Sequence, residues 1–348
     1  MTGILSDGRW IKKMPSPYSK SQVLKWLACI DYDVTPSVEA SVVNDTFPAN
    51  LDNLTIIQRL HLLGIKFENT QMHYSPEHTM DVEAQPVFQR LVMDRKGSYC
   101  FGKTGLLSGM LRGLGYRVLP VQGRVNQNYM KLGVPPDFTP TTHMVLLVQP
   151  ISNSNTTYMV DVGFGGSCPV RPMLLTEGDP VMGTTPTEKH RLRKGSLPDS
   201  CLDDPVQSVW KLECLHTKEG NGTAMADESQ WKWLYAFDEV ERFAQDVVCS
   251  SHWVATYGRG TIFADNVLCI KHYWLDEEQL TKPNEQRWIG SLSLMGKIIR
   301  RHSGPRGEVV KELKSEEERV EAIKEYFGVD VGSVNIQYIQ GRTAALGH

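Results

Sequence analysis

Three residues of this 348-residue sequence have the types and surroundings that nucleophilic catalysis requires: Cys100, His143 and Asp161. Cys100 lies where a loop gives way to a predicted helix, so its sulfur faces the positive end of the helix dipole and unpaired backbone N–H groups. Both features favour thiolate over thiol, and the same N–H groups can stabilise a tetrahedral oxyanion. The alternative interpretation is a packed, unreactive cysteine, because free cysteines are mostly buried.

His143 opens one predicted strand and Asp161 ends the next, as in an antiparallel hairpin. If His143 pairs with Gly163, Asp161 lies opposite Val145 and its side chain shares a face with His143. A carboxylate at that place can orient the imidazole, which can then accept the proton of a thiol. A hairpin with a satisfied core histidine is the alternative, and spacing alone does not bring Cys100 to this hairpin.

Apolar residues at helical spacing predict four helices within residues 20–115. The first is capped by Ser19 or Ser21, the second follows Asn53, the third contains Val87, and the fourth begins at Cys100. Gly115 is predicted to end the fourth helix.

The residues after Gly115 are typical of strands. The predicted strands are Tyr116–Val125, His143–Gln149, Thr157–Gly163, Val209–His216 and Trp231–Tyr235. Because both faces of the run that starts at His143 are apolar, we expect its sheet to be buried on both sides. Residues 176–205 are rich in Pro, Gly, Thr and charge, which predicts an exposed insertion. Residues 293–313 predict strands around a turn at 304–307, and Glu316–Phe327 predicts an amphipathic helix that ends at Gly328. The order of helical, β-rich and mixed regions indicates an α+β protein and argues against a Rossmann fold.

The composition is that of a globular protein, with 41% hydrophobic and 22% charged residues. A net charge of −3 argues against nucleic-acid and membrane partners. We find no secretory signal and no apolar run of the roughly 18 residues that a membrane span needs, so we expect a cytoplasmic protein. The seven cysteines are odd in number and form no C-x-x-C pair, so neither a disulfide framework nor a metal site is predicted.

Several sequence blocks carry a resemblance to the arylamine N-acetyltransferases, particularly fungal members, over about residues 20–330. The blocks are Leu60-His61, Phe67-Glu68-Asn69, Lys96-Gly97-Ser98-Tyr99-Cys100, Gly115-Tyr116-Arg117-Val118, Gly123-Arg124-Val125, Thr142-His143-Met144-Val145-Leu146-Leu147-Val148 and Tyr158-Met159-Val160-Asp161-Val162-Gly163-Phe164-Gly165-Gly166. The order Cys, His, Asp in these contexts is highly specific, and it identifies the three residues as a catalytic triad.

The resemblance implies a helical bundle, a central β-barrel and a C-terminal α/β lid, with the triad arranged as in cysteine proteinases. We place an N-terminal extension at 1–19, the helical domain with Cys100 at 20–115, and the β-barrel domain with His143 and Asp161 at 116–235. The barrel domain contains the inserted loop at about 176–205, and the lid spans 236–348.

The resemblance also implies a xenobiotic-metabolising enzyme that transfers an acyl group from coenzyme A to an arylamine or hydrazine, by a ping-pong mechanism through a thioester on Cys100. Acetyl is the expected acyl group, with propionyl and malonyl as alternatives. Acyl-coenzyme A is then a co-substrate, no cofactor is permanently bound, and a monomer or weak dimer is expected. A cysteine hydrolase or transglutaminase-like enzyme with the same triad, and an inactive binding homologue, are the other hypotheses.

Further residues are assigned by their match to the family. Phe67, Val125 and Phe164 are expected to line the acceptor pocket. The residues expected along the path of the acyl group and coenzyme A are Thr142, Gly165, Thr261 and Phe263.

The sequence departs from the family near Cys100. Lys96-Gly97-Ser98 replaces the usual Arg-Gly-Gly, so we expect an altered contact to Glu68. Gly102 and Thr104 replace polar residues of the family, which predicts a roomier pocket floor. Lys103 is a candidate cation for a malonyl group, and Arg259 a candidate for a coenzyme phosphate.

Overall fold

The computed structural model describes residues 3–347, apart from 132, 179, 203–207, 218–229, 258–260, 276–281 and 305. Along the described chain, helices come first, an eight-stranded antiparallel sheet follows, and a five-stranded antiparallel sheet with flanking helices comes last. This order confirms the predicted α+β class.

All four helices predicted before residue 115 are present. They are α1 (Lys20–Cys29), α3 (Leu51–Gly64), α5 (Ala84–Phe88, continued by a π turn over Gln89–Met93) and α6 (Cys100–Gly113). Ser19 caps α1 in a capping box with Gln22. Gly115 follows α6 with a φ of 90°, a conformation that favours glycine.

The sequence interpretation missed three short elements in this region. Helix α2 (Pro36–Val43) begins after a Thr35 cap, and α4 (Thr70–Tyr74) follows a two-residue strand, β1 (Phe67–Glu68). Helix α3 also starts earlier than predicted, because the side chain of Asn50, and not that of Asn53, caps it.

The eight-stranded sheet has the order β5-β4-β3-β2-β9-β8-β7-β6. Its strands are β2 (Arg117–Asn126), β3 (Phe138–Gln149), β4 (Tyr158–Val160), β5 (Met173–Leu174), β6 (Val181–Met182), β7 (Glu188–Gly195), β8 (Val209–His216) and β9 (Lys232–Phe237). β5 and β6 are the two ends of this sheet. Buried residues from β2, β3, β4, β5, β7, β8 and β9 pack in one common core, so the sheet curves into a near-barrel.

The predicted register of the β3–β4 hairpin is confirmed. Leu146 pairs with Val160, and the same register continued along the strands sets His143 opposite Gly163. Asp161 comes directly after Val160, the last paired residue of β4. Its side chain therefore projects from the same face of the hairpin as the side chain of His143.

Strand β3 is buried on both faces, as its apolar sequence predicted. Met144, Leu146 and Val148 pack in the core that contains α6, whereas Val145 and Leu147 pack in the interior of the near-barrel. The strand with His143 is thus held rigidly between two cores.

The prediction that 176–205 is an exposed loop is wrong, because β6 and β7 lie within this segment. β7 pairs with β8 along its whole length, and its charged residues find partners there. Arg191 forms a 2.7 Å ion pair with Glu213, and the ammonium group of Lys194 lies 4.6 Å from the ring centre of Trp210. These contacts with neighbouring strands offset the low intrinsic strand preference of the segment.

Residues 3–11 lie against the near-barrel, whereas Ser16 and Tyr18 contact α6 at Gly109. Ile4 forms a bridge with Thr156, and the backbone N–H of Ile11 donates to the side chain of Gln149 at 2.9 Å. Leu5 and Ile11 are buried in the interior of the sheet.

The C-terminal part contains the second sheet, with the order β1-β10-β11-β12-β13. Its elements are α7 (Ala244–His252, continued by a π turn over Trp253–Tyr257), α8 (Ile262–Asp265), β10 (Leu268–Trp274), β11 (Ile289–Met295), β12 (Ile298–Ser303), β13 (Arg306–Glu312) and α9 (Glu316–Ala322, continued by a π turn over Ile323–Phe327). The predicted strands around 304–307 and the helix that ends at Gly328 are confirmed, whereas β10 was missed. Because β1 belongs to this sheet, the chain before Cys100 is tied to the C-terminal part.

Candidate active site

Cys100 is the first residue of α6, as predicted, and Tyr99 precedes it in an extended conformation. The cysteine is 4% exposed, and its sulfur lies 3.5 Å from the carbonyl oxygen of Thr142 on β3. The Tyr99 hydroxyl hydrogen-bonds that of Ser251, and its ring packs edge-on against Phe263. The residue before Cys100 is thus fixed between α6 and the C-terminal part.

The side chains of His143 and Asp161 meet in the buried space beside Cys100. His143 Nε2 donates to Asp161 Oδ2 at 2.8 Å. Asp161 Oδ2 also accepts the hydroxyl of Tyr235 at 2.8 Å, and Oδ1 accepts the backbone N–H of Gly163 at 2.7 Å. These three donors fix the carboxylate, and they leave Nδ1 of the imidazole for the thiol of Cys100.

The charges of this pair reinforce one another. Burial lowers the pKa of His143, but the Asp161 carboxylate and hydrogen bonds to Asp161 and Cys100 raise that pKa to about 10. Burial raises the pKa of Asp161, yet the charge of His143 and the hydrogen bonds from His143, Gly163 and Tyr235 outweigh burial and lower it. The arrangement favours an imidazolium beside an ionised carboxylate at neutral pH.

Gly163 allows the turn after Asp161 to reach helix α6. A Cβ added to Gly163 would lie 2.6 Å from the Cα atom of Cys100 and 2.9 Å from its Cβ atom. Since both neighbours belong to the start of the helix, neither can move away cheaply. Glycine is required here by the close approach of two backbone segments.

A buried ion pair holds the loop before Cys100. Arg90 Nη2 lies 2.6 Å from Glu68 Oε1, and Arg90 Nε donates to the carbonyl oxygen of Gly97 at 2.8 Å. The same carboxylate oxygen accepts the backbone N–H of Gly97 at 2.9 Å. Lys96 is half-buried. The contact to Glu68 that we expected to change at Lys96 is supplied by the guanidinium of Arg90, from another part of the chain.

The expected roomier pocket floor is wrong. A Cβ added to Gly102 would lie 2.2 Å from Ser98 Oγ, so the serine hydroxyl occupies the space that the glycine leaves. Thr104 is fully buried, and neither Gly102 nor Thr104 lines the cavity at the site.

A cavity of about 930 Å³ opens beside the triad, and both Cys100 and His143 line it. Every residue predicted for the acceptor pocket or the coenzyme path lines this cavity: Phe67, Val125, Thr142, Phe164, Gly165, Thr261 and Phe263. A concave, partly aromatic space of this size beside a nucleophile suits a small aromatic substrate.

The structure describes one of the two cations that the sequence suggested for this site, Lys103. Lys103 is fully buried, hydrogen-bonds the carbonyl oxygen of Ile65 and is not a lining residue. Burial lowers the pKa of Lys103 to about 8. Arg259 lies outside the described residues.

Sequence reasoning missed Tyr235 and Arg90. Tyr235 sits in an ordinary apolar strand, and only the crossing of β9 beside β2 brings its hydroxyl to Asp161. Arg90 lies 22 positions after Glu68, a separation without any recognisable motif. The sequence identifies Glu68 only by its match to the family.

A sequence model of the N-acetyltransferase family matches residues 50–336, most of the chain. The chain belongs to the arylamine N-acetyltransferase family. As a member of this family it is an acyltransferase, and the expected fungal character is supported by its relatives.

Two curated relatives illustrate the range of the family. The N-malonyltransferase FDB2 of Fusarium pseudograminearum is 29% identical over 341 residues, which cover 92% of this chain and 92% of the relative. The arylamine N-acetyltransferase of Escherichia coli is 29% identical over 223 residues, which cover 64% of this chain and 67% of the relative.

Solved structures share the fold. The arylamine N-acetyltransferase of Mycobacterium marinum in complex with CoA superposes with a TM-score of 0.68 at 23% identity, covering 93% of this chain and 100% of that chain. Within the described residues of this chain, no helix has both the length and the apolar character needed to cross a bilayer.

Proposed function

We propose that this enzyme transfers an acetyl group from acetyl-coenzyme A to the nitrogen of an arylamine or hydrazine, through a thioester on Cys100. One observation carries the proposal: the Cys100 thiol, the His143 imidazole and the buried Asp161 carboxylate meet at the wall of a cavity of about 930 Å³.

The first half-reaction uses the thiolate of Cys100 as the nucleophile. It attacks the thioester carbonyl carbon, a C–S bond to Cys100 forms, and the bond to the coenzyme sulfur breaks. The imidazolium of His143 then protonates the departing coenzyme thiolate. Asp161 keeps the ring oriented and stabilises its charged form until the proton leaves.

The second half-reaction transfers the acetyl group to the amine. The amine nitrogen attacks the carbonyl carbon of the Cys100 thioester while neutral His143 accepts the amine proton. The C–S bond breaks and returns the thiolate–imidazolium pair. Phe67, Val125 and Phe164 supply the apolar walls against which an aromatic ring can pack.

Free-thiol release on mixing the enzyme with acetyl-coenzyme A tests the proposal. We expect a burst of one coenzyme A per chain without amine, steady turnover with an arylamine, and an acetyl adduct on Cys100 by mass spectrometry. Cys100→Ala should abolish all three. Turnover by Cys100→Ala at the wild-type rate would refute the assignment of the nucleophile.

A malonyl donor is the second candidate, and the relative in Fusarium pseudograminearum, an N-malonyltransferase similar along 92% of both chains, favours it. Parallel bursts with acetyl-, propionyl- and malonyl-coenzyme A discriminate between the donors. The donor with the highest kcat/KM for acylation of Cys100 is the substrate that the cavity selects.

The same triad could serve a hydrolase or a transglutaminase-like enzyme. Those activities would cleave amides without coenzyme A, so amide cleavage in the absence of the coenzyme would favour them over N-acetylation. The cytoplasmic location and the monomeric or weakly dimeric state stay predictions.

A further inference from the structure

A second group of reactive side chains lies in the wall of the same cavity, on the outer strands of the near-barrel. Glu188 begins β7, and Cys214 and His216 end β8. Glu188 pairs directly with His216 across the two strands, and Cys214 precedes His216 by two residues. Residues opposite one another, or two apart along a strand, project from the same face, so the sheet gathers all three side chains.

The separations between these side chains suit binding of one shared metal ion. Cys214 Sγ lies 3.4 Å from His216 Nε2, and Glu188 Oε2 lies 3.9 Å from His216 Nδ1. One ligand atom from each residue lies within 4.8 Å of the other two. Bonds of about 2.0–2.3 Å to a tetrahedral ion would set the ligand atoms roughly 3.3–3.6 Å apart. The 3.4 Å and 3.9 Å contacts involve different ring nitrogens of His216, so an ion bound to one nitrogen requires a rotation of the imidazole or of the Glu188 carboxylate to bring in the third ligand atom.

We propose that Glu188, Cys214 and His216 form a zinc-binding site in the wall of the substrate cavity. Thiolate, imidazole and carboxylate are the ligands that Zn²⁺ accepts together, whereas Mg²⁺ and Ca²⁺ prefer oxygen alone. Three protein ligands leave a fourth position for water or for an anionic group of a molecule in the cavity.

The surroundings provide both support for the ligands and a path for the ion. Glu188 accepts the backbone N–H of Thr184 at 3.1 Å, which orients its carboxylate. Cys214 is fully buried, but the side chain of His216 is 40% exposed and lines the cavity together with Glu188. An ion can enter from the cavity past the imidazole.

Lys232 is the charged group of β9 that pairs opposite Cys214, and its positive charge opposes binding of a cation. Binding of the ion releases the protons of Cys214 and Glu188 to solvent, and the resulting thiolate and carboxylate carry two negative charges against the single charge of Lys232. The carboxylate–imidazole separation of 3.9 Å also distinguishes this group from the triad, where the corresponding distance is 2.8 Å. The Glu188 carboxylate does not hydrogen-bond the His216 imidazole at this distance, and the Cys214 thiol is buried. The geometry therefore favours Cys214 as a metal ligand over Cys214 as a second nucleophile.

Metal titration of the full chain carrying Cys100→Ala tests the proposal, because this background removes the competing thiol of the triad. We expect one Co²⁺ per chain, a thiolate-to-cobalt charge-transfer absorption, and displacement of Co²⁺ by Zn²⁺. Adding Cys214→Ser should remove the charge-transfer absorption. It should also raise the Zn²⁺ dissociation constant at least about 100-fold, more than the loss of an outer-shell partner costs.

Two further variants keep the test decisive if Cys214→Ser fails to fold. His216→Ala changes a half-exposed side chain and should weaken Zn²⁺ binding to a similar degree. Cys249→Ser removes an exposed thiol elsewhere and should leave binding unchanged. Zn²⁺ binding as tight in His216→Ala as in the parent would overturn the proposal. So would an acetyl adduct on Cys214 after incubation with acetyl-coenzyme A, since it would make that thiol a nucleophile.

Discussion

Replacing Asp161 with asparagine tests the electrostatic basis of the triad most directly. The change removes the negative charge and retains the shape of the side chain. Asp161 accepts hydrogen bonds from His143, Tyr235 and the backbone of Gly163. One end of the asparagine side chain is an NH₂ group, which donates hydrogen bonds and cannot accept them. It must therefore face at least one of these three donors, and that hydrogen bond is lost.

The magnitude follows from the pKa of His143. Raising it from 6.5 to about 10 corresponds to about 5 kcal/mol in favour of the imidazolium. Without the carboxylate, burial, the largest influence, is opposed only by the hydrogen bond and charge of Cys100, so the pKa of His143 falls and less imidazolium is present at neutral pH. We therefore expect acylation of Cys100 to slow by about 10³- to 10⁴-fold in Asp161→Asn, as happens when the carboxylate of a serine-protease triad is replaced by an amide.

Alkylation of Cys100 by iodoacetamide across a range of pH provides the assay, alongside single-turnover release of coenzyme A. In the wild type, the pKa of His143 is raised to about 10, so the imidazolium beside Cys100 persists across neutral pH and alkylation should change little with pH there. In Asp161→Asn, the rate should fall about tenfold per pH unit on the acid side of the thiol titration. A variant that keeps a flat profile and acylates within tenfold of the wild type would refute the reasoning.

Tyr235→Phe is the matched control for this experiment. It removes one hydrogen bond to the carboxylate but keeps the charge of Asp161. We expect a loss of about 1.5–3 kcal/mol in the free energy of unfolding and a smaller loss of activity than in Asp161→Asn. Equal loss of activity in the two variants would mean that geometry, and not charge, dominates.

Three other predictions concern the support of the site. Gly163→Ala should abolish acylation or folding because its Cβ would lie 2.6 Å from the adjoining helix backbone, whereas Gly105→Ala, with open space at its Cβ, should leave thermal stability equal or higher. Arg90→Met should lower the free energy of unfolding in urea by about 3–5 kcal/mol, since it leaves a buried carboxylate unpaired, whereas Lys96→Ala should change it by less than about 0.5 kcal/mol. The raised pKa of His143 contributes stability that is fully present below pH 6.5 and is lost as pH rises through about 10. The difference in unfolding free energy between wild type and His143→Gln should therefore shrink between pH 7 and 10, and a constant difference would contradict the shift.

Local sequence patterns were sufficient for several parts of this protein. Helical periodicity placed Cys100 at the start of α6, and a hairpin in which His143 pairs with Gly163 set His143 beside Asp161. These features depend on residues near one another in sequence, where propensity, capping and strand alternation act directly. No local pattern linked Cys100 to the hairpin of His143 and Asp161. That link came from the resemblance to the family.

Other features depended on contacts that no local pattern encodes. β7 looked like a loop because its stabilising partners, among them Glu213 and Trp210, lie on another strand. Arg90 replaces the expected contact near Lys96 because folding brings a distant guanidinium to Glu68. Such contacts form only when folding brings remote parts of the chain together. The composition of the segment itself therefore cannot predict them.

The triad at Cys100 and the proposed zinc site at Cys214 both combine features that the sequence predicts with features that it does not. The sequence by itself determined that Cys100 begins a helix and that His143 and Asp161 share a strand face. No local pattern showed that these elements meet, and only the tertiary structure decided that Glu188 lies beside Cys214 on adjacent strands. The reason is physical: side-chain type and local period are properties of the chain, whereas the distance between remote side chains is set by how sheets and helices pack around a shared core.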